Sequence, residues 1–504
     1  MRAPRTLRET RAGAPRTLRE ALAAHLARRP DEPFLIAPET GRVLTYREID
    51  RQARLLARYL RSRGLQRGDK VALYLHNGYQ AALLFLSAMI GGYVVAPLNL
   101  LSQRSQLAYV LDHCDCKLLF TSRDYEKPLG AALAGVQRPI EVIVIDPDAI
   151  ELFVEGKLPK ANLEAVAPGD PALLMYTSGT TGTPKGALLT HANLLASAAV
   201  VAAWHGLTPQ DRCLSSLPIY HINGQVIATV TPFVSGGSLI APHRFSVSTW
   251  WELVERHQAT WVNMVPTIIA YLLNAAEPGR SYRFPKVRFG RSASAPLPPE
   301  QHRAFERTFG ISVIECMGMT ETASNVFANP QDPAKRKLGS VGLPCGVEAK
   351  VAEGEIRLRG PNVMAGYYKS PGQTAQAFDA DGWMRTGDLG ERDADGYYFI
   401  TGRLKELIIK GGENIAPREI DEALLKHPAV LEAAAVGVPD ANYGQDIRAC
   451  VVLKPGARAS TDELRAFCVA ELGRYKTPRE FRFLAELPKG PSGKVQRLKL
   501  AEDS

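Results

Sequence analysis

Hydrophobic residues along this chain alternate between helical spacing and short, nearly continuous apolar runs. From Tyr46 to Arg63 they recur with the period of an amphipathic helix, Lys70 to Leu75 is a run of strand length, and Gln80 to Ile90 returns to a helix. Further along, Ala172 to Tyr176 predicts a strand, broken by a loop of Gly, Thr and Ser. Ala187 to Thr190 is extended again, and Thr190 can cap a helix starting near His191. Trp261 to Val265 reads as a buried strand and Thr267 to Asn274 as a helix. Such alternation predicts layered α/β architecture. Beyond Gly354 the texture becomes hairpin-like, with an Asp395-Gly396 turn ahead of Tyr397 to Thr401. Gly402 to Lys405 marks a boundary. After it, Leu407 to Lys410, a Gly411-Gly412 turn and a helix from Pro417 to Lys426 open a final unit of about 100 residues, an ordinary small-domain size.

With 504 residues, 45% of them hydrophobic, the chain can bury a sizeable core in about three folding units. Its longest apolar stretches are interrupted by Gly91 and Gly92 and fall short of the ~20 residues that span a bilayer. A formal charge of +9 raises the question of nucleic acid, but no basic run sits in a nucleic-acid motif, and anionic small ligands account for the charge equally well. Part of the excess lies in the first twenty residues, where Ala3 to Glu9 recurs as Ala14 to Glu20. Glu9 and Glu20 argue against a transit peptide, so residues 1–20 read as a flexible extension or as the product of a misassigned start codon. The seven cysteines are scattered and odd in number, which fits a reduced, cytoplasmic setting. Cys114 and Cys116 beside His113 have poor spacing for tetrahedral zinc and read as ordinary buried thiols.

The segment Tyr176 to Gly186, YTSGTTGTPKG, concentrates hydroxyls, glycines and one lysine. Glycines let backbone amides converge on phosphate oxygens, hydroxyls add donors, and Lys185 supplies a point charge. A Walker A loop would need Lys followed by Ser or Thr at a helix start, whereas Lys185 is followed by Gly186 and a strand. This is a phosphate loop of another kind.

That loop resembles the signature of the adenylate-forming superfamily of acyl-CoA synthetases, peptide-synthetase adenylation domains and beetle luciferases. In the same order follow LPIYHINGQ (Leu217 to Gln225), MGMTE (Met317 to Glu321), RTGDL (Arg385 to Leu389), GRLKE (Gly402 to Glu406) and PSGK (Pro491 to Lys494). The resemblance covers roughly Leu44 to Leu498. It implies a large adenylation domain, residues 21–402, of layered α/β subdomains plus a β-barrel-like one, then a small mobile α+β domain, residues 403–504. It also implies an acid–CoA ligase of the acyl-CoA synthetase branch: a carboxylate attacks the α-phosphorus of ATP with Mg²⁺, pyrophosphate leaves, and the acyl-adenylate passes its acyl group to coenzyme A. Alternatives are loading of a carrier-protein thiol, against which no carrier-like segment follows, and a catalytically silent nucleotide-binding protein. The expected partners are a small carboxylic acid, ATP and coenzyme A, with no nucleic acid and no membrane span; a homodimer is left open.

Residue by residue, the resemblance places ATP at Thr177, Ser178, Gly179, Thr180, Thr181, Gly182 and Lys185. Ser294, Ala295 and Pro296 form one adenine wall; Glu315, Cys316 and Met317 form the other, with Met317 where tyrosine is frequent. Thr320 contacts the α-phosphate, Glu321 binds Mg²⁺, and Asp388 with Arg403 holds the ribose. Lys494 bridges the reacting carboxylate and phosphate, as a catalytic group alongside Lys185, Arg403 and His221, the last an aromatic gate to the acid. The acid pocket takes in Asn223, Gly224, Gln225, Met264, Thr267, Ser292, Gly318 and Asn325, with Ile222 and Pro266. These are polar for an alkyl chain and favour a short, aromatic or polar acid. Arg291 is read either as a partner for a second carboxylate or as a solvent-facing residue. Lys405 matches the hinge, and Lys410, Gly411 and Gly412 line the route of the coenzyme A arm.

Overall fold

The computed structural model describes residues 14–153, 158, 163–177, 184–489 and 495–502. Among them, two large sheets stand at the centre. One runs through seven strands, mostly parallel, including Lys70–Tyr74, Val94–Pro97, Pro171–Thr177 and Lys185–Thr190. The other has nine, with the parallel run Arg212–Leu214, Trp261–Met264, Phe289–Ser292 and Val313–Met319 at its middle. The helix Tyr79–Ile90 is buried at every position because it contacts strands of both sheets. That explains its unbroken apolar sequence, since a helix with no solvent face needs no polar stripe. The helix Tyr46–Ser62 lies on the outside, burying Ile49, Leu56 and Leu60 on one side. Thr45 and Glu48 start it with a reciprocal capping box.

The region expected to be barrel-like is a four-stranded antiparallel sheet, Glu348–Ala352, Glu355–Arg359, Met384–Arg392 and Tyr398–Arg403, whose last strand also bridges to Gly342. Beyond Lys405 a separate core forms around Ile408, Ile420, Leu424, Ile447 and Leu464. It is built on the long hairpin Val430–Asp440 with Gly444–Leu453 and the helices Pro417–Leu425 and Thr461–Lys476. Within the stretch read as a flexible extension, residues 1–13 lie outside the described residues and the last part is ordered. A helix begins at Leu18, because the Thr17 hydroxyl caps it through the Glu20 amide and Leu18 is wholly buried. All seven cysteines are buried and unpaired by disulfides, as read for Cys114 and Cys116. Among the described residues no helix is long and apolar enough to cross a membrane.

Candidate active site

The phosphate loop closes an antiparallel hairpin in which Thr177 pairs with Lys185 and Tyr176 with Gly186. Ser178, Gly179, Thr180, Thr181 and Gly182 lie outside the described residues. Lys185 projects from the hairpin's second strand. Desolvation lowers its pKa, the nearby Lys405 ammonium lowers it further, and Glu321 acts in the opposite sense. Glu321 sits in the short turn Thr320–Thr322 that leaves the end of the strand Val313–Met319. Gly318, just before it, is required by packing: a Cβ there would stand 1.9 Å from the carbonyl oxygen of Ser324.

The hairpin through Asp395-Gly396 sets Asp388 directly opposite Arg403. Their side chains meet, Arg403 Nε to Asp388 Oδ1 at 2.7 Å, with the carboxylate buried and the guanidinium partly open to solvent. The two walls predicted for adenine also come together. Ser292 pairs with Glu315 in parallel register, and the Leu297 amide donates to Glu315 Oε1 at 3.1 Å across the Ser294–Pro296 turn. Burial raises the Glu315 pKa to about 7. Strand alternation sends Cys316 to the opposite face from Glu315 and Met317, so its thiol lies beside Arg291 and away from the predicted adenine wall.

The LPIYHINGQ motif forms a loop and then a π-helical segment, Asn223–Val230, a conformation that recurs at functional sites. Gly224 allows the loop to fold on itself, since a Cβ would lie 2.2 Å from the Pro218 oxygen. Gln225 is fully buried, and its amide donates to the Ile219 carbonyl at 2.7 Å while its Oε1 has no hydrogen-bond partner. His221 has its pKa pulled down to about 4 by desolvation, and its Nδ1 accepts the Asn223 amide at 3.3 Å. It is therefore a neutral ring at pH 7.

Next to this segment stands a buried polar cluster. Arg291, wholly buried, donates to Asn325 Oδ1 at 2.9 Å, Asn223 Oδ1 at 3.2 Å and Asn263 Oδ1 at 3.3 Å. Asn263 in turn donates to Asn223 at 3.0 Å. Among the described residues no carboxylate pairs with Arg291, and its Nε has no hydrogen-bond partner. Arg291 thus does not face solvent. Met264, expected in the pocket, points into the apolar cluster of Val262, Ile268 and Leu272, because its strand alternates and Asn263 takes the pocket side. Ser292 alternates with Arg291 in the same way, which places it off the Arg291 face. Thr267 is half-buried in the first turn of the helix Pro266–Asn274.

In the C-terminal unit Gly411 and Gly412, both at positive φ (56° and 90°), make the exposed tip of the hairpin Ile408–Lys410 with Glu413–Ile415. Lys410 is occupied elsewhere: its ammonium is buried in an ion pair with Asp446 at 2.6 Å, between the rings of Tyr443 and Tyr475. Lys494 lies outside the described residues.

Residues 22–368 match the family model of the AMP-binding enzyme, and residues 419–494 match that of the AMP-binding enzyme C-terminal domain. The chain belongs to the AMP-binding enzyme family. It is 55% identical to the sulfoacetate–CoA ligase of Cupriavidus necator, over 95% of this chain and 96% of that one. It is 34% identical to the oxalate–CoA ligase of Arabidopsis thaliana, over 89% and 91%. The ATP-bound crystal structure of MatB from Rhodopseudomonas palustris superposes with a TM-score of 0.89 at 32% identity, covering 97% of this chain and 98% of that one. The protein is an ATP-dependent acid–CoA ligase, and ATP and coenzyme A are its substrates.

Three residues of this ligase's site escaped the motifs. Asn263 lies in a strand buried on both faces, where periodicity does not tell the two sides apart. Asn77, from the other sheet, accepts the Ile219 amide at 2.7 Å and donates to the Leu217 carbonyl at 2.8 Å, pinning the acid-pocket loop. Tyr367 contacts both Lys185 and Glu321.

Proposed function

We propose that this ligase activates a short carboxylic acid carrying a second anionic group, with sulfoacetate the leading candidate. The observation that carries the reading is Arg291: a buried guanidinium held by asparagine oxygens, with no carboxylate to neutralise it among the described residues. A buried charge is costly unless paired, so such a cation is best explained by a ligand that brings the anion. Sulfoacetate and oxalate, the acids named for two relatives, are both short and doubly charged. A long alkyl chain would instead have to displace this polar cluster.

In this reading the acid's far anion meets Arg291 while its carboxylate lies past the neutral ring of His221 toward the phosphate loop. Because His221 is uncharged at neutral pH, it serves as a wall and not as a competing cation. Lys185 and the loop hydroxyls bind the β- and γ-phosphates, and Asp388 with Arg403 receives the ribose hydroxyls. Lys494, inside the match to the C-terminal domain model, offsets charge between carboxylate and α-phosphate during attack. Glu321 presents a hard oxygen donor beside Lys185, which suits Mg²⁺, an ion usually held by one or two carboxylates together with phosphate oxygens. When bound there, Mg²⁺ neutralises phosphate charge. Adenylation replaces the poor oxide leaving group by AMP, and the thiol of coenzyme A then displaces AMP. Gly411 and Gly412, with the exposed rings of Tyr443 and Tyr475 beside them, supply the surface for the coenzyme A arm.

The test is acid-dependent AMP release and thioester mass with sulfoacetate, oxalate, malonate, acetate and octanoate. Doubly charged acids should lead by kcat/KM. A clear preference for acetate or octanoate would refute the second-anion reading while leaving the ligase chemistry intact.

A further inference from the structure

Lys185 comes from a strand and Glu321 from the turn after another strand, and one side chain touches both. The Tyr367 hydroxyl donates to Glu321 Oε1 at 2.9 Å, and the Lys185 ammonium stands over the Tyr367 ring, 5.1 Å from its centre. We propose that Tyr367 is a positioning residue that aligns the metal-binding carboxylate of Glu321 with the phosphate-binding Lys185. This rests on the roles assigned above to Glu321 and Lys185.

The backbone around Tyr367 is tied to both partners. The segment 366–367 pairs antiparallel with the strand of Lys185, Tyr367 opposite Ala187. The Tyr368 amide donates to the Gly186 carbonyl at 2.7 Å, and the Met364 amide to the Glu321 carbonyl at 2.8 Å. The Tyr367 amide itself is held by Thr374 Oγ1 at 2.9 Å. The ring is therefore not free to follow either partner. Glu321 and Lys185 must take positions relative to it.

The chemistry of the contacts fits this role. The phenol hydroxyl is the donor in this contact, and a carboxylate oxygen accepts. Its bond occupies one carboxylate oxygen and leaves Oε2 for a metal ion. A ligating carboxylate fixed by an outer hydrogen bond binds metal more tightly than a loose one. The ring face meanwhile attracts the Lys185 ammonium and holds it near the carboxylate without a direct ion pair. Such a pair would consume the charges that ATP and its metal need.

Two variants separate the two contacts. Tyr367→Phe keeps the ring and loses only the hydroxyl; Tyr367→Leu loses both. ATP binding is measured by calorimetry on the full chain across a Mg²⁺ series and in EDTA. For Tyr367→Phe, the Mg²⁺ concentration that half-saturates ATP binding should rise about tenfold, with metal-free ATP affinity unchanged. Acyl transfer to coenzyme A from preformed acyl-adenylate, which does not involve the β- and γ-phosphates, should be retained. Tyr367→Leu should weaken metal-free ATP binding as well. If Tyr367→Phe binds ATP with the wild-type Mg²⁺ dependence, or loses metal-free binding and acyl transfer equally, the assignment is overturned. A structural filler would give the first result and a folding defect the second. If the wild type shows no Mg²⁺ dependence, it is the assignment of Glu321 that fails, a different outcome.

Discussion

Glu315 carries an acid into a place where its charge is unwelcome, with a measurable consequence. Its folded-state pKa is about 7, against an ordinary 4.5, because burial disfavours the carboxylate. The folded protein therefore holds a proton that the unfolded chain releases, so this contribution to stability is complete below the unfolded pKa. It is lost as pH rises from about 4.5 to about 7. Glu315→Gln, neutral at every pH, should melt above the wild type at pH 8 by an amount corresponding to about 3 kcal/mol, with no such advantage at pH 4. A constant difference across pH would show that Glu315 is not protonated in the fold. At this scale the sequence was informative about residues that motifs carry and silent about those that only geometry selects. Asp388 pairs with Arg403, and Lys185 lies within electrostatic reach of Glu321. Met264 turns into an apolar cluster with Val262, Ile268 and Leu272, because a side chain's direction depends on the phase of its strand.

Elements were most legible where local chemistry decides them. Thr190 caps the helix His191–Trp204 with Asn193 answering, as its position before an apolar run implied. The Asp395-Gly396 turn predicts a hairpin, and that hairpin's register is what makes Asp388 and Arg403 partners. Less legible was the segment Asn223–Val230. Its sequence suggests no particular winding; in the structure Asn77 pins the loop before it, and Gln225, within it, donates back to Ile219. Both contacts are long-range or buried, so neither leaves a periodic trace. The parallel strands pose the same difficulty. Covered on both faces, Trp261–Met264 and Phe289–Ser292 show no polar alternation, except that Asn263 and Arg291 share one face. In retrospect a charged residue in a strand otherwise fit for burial was the available signal.

For the molecule as a whole, the large N-terminal part and the C-terminal unit have separate hydrophobic cores, and the proposed mechanism gives each its own chemistry. Lys494 and the Gly411-Gly412 tip belong to that second unit, while Lys185, Glu321 and Arg291 belong to the first. If a domain rotation at Lys405 exchanges the lysine for the coenzyme A face, Lys494→Ala should cripple acid-dependent adenylate formation. Transfer from preformed acyl-adenylate should persist in the same variant. Equal loss of both half-reactions would contradict such an exchange. What most directly decides whether the buried cation reads the substrate is the ratio of kcat/KM for sulfoacetate over acetate, in the wild type and in Arg291→Met. Arg291→Met also takes the donor from the buried oxygens of Asn263 and Asn325, so some loss of melting temperature is expected, and a cooperative melt well above the assay temperature is the folding control. The ratio should fall about 100-fold in the variant, through loss on sulfoacetate alone. An unchanged ratio, with both acids losing equally, would show that Arg291 supports the fold of the pocket and does not recognise a second anion.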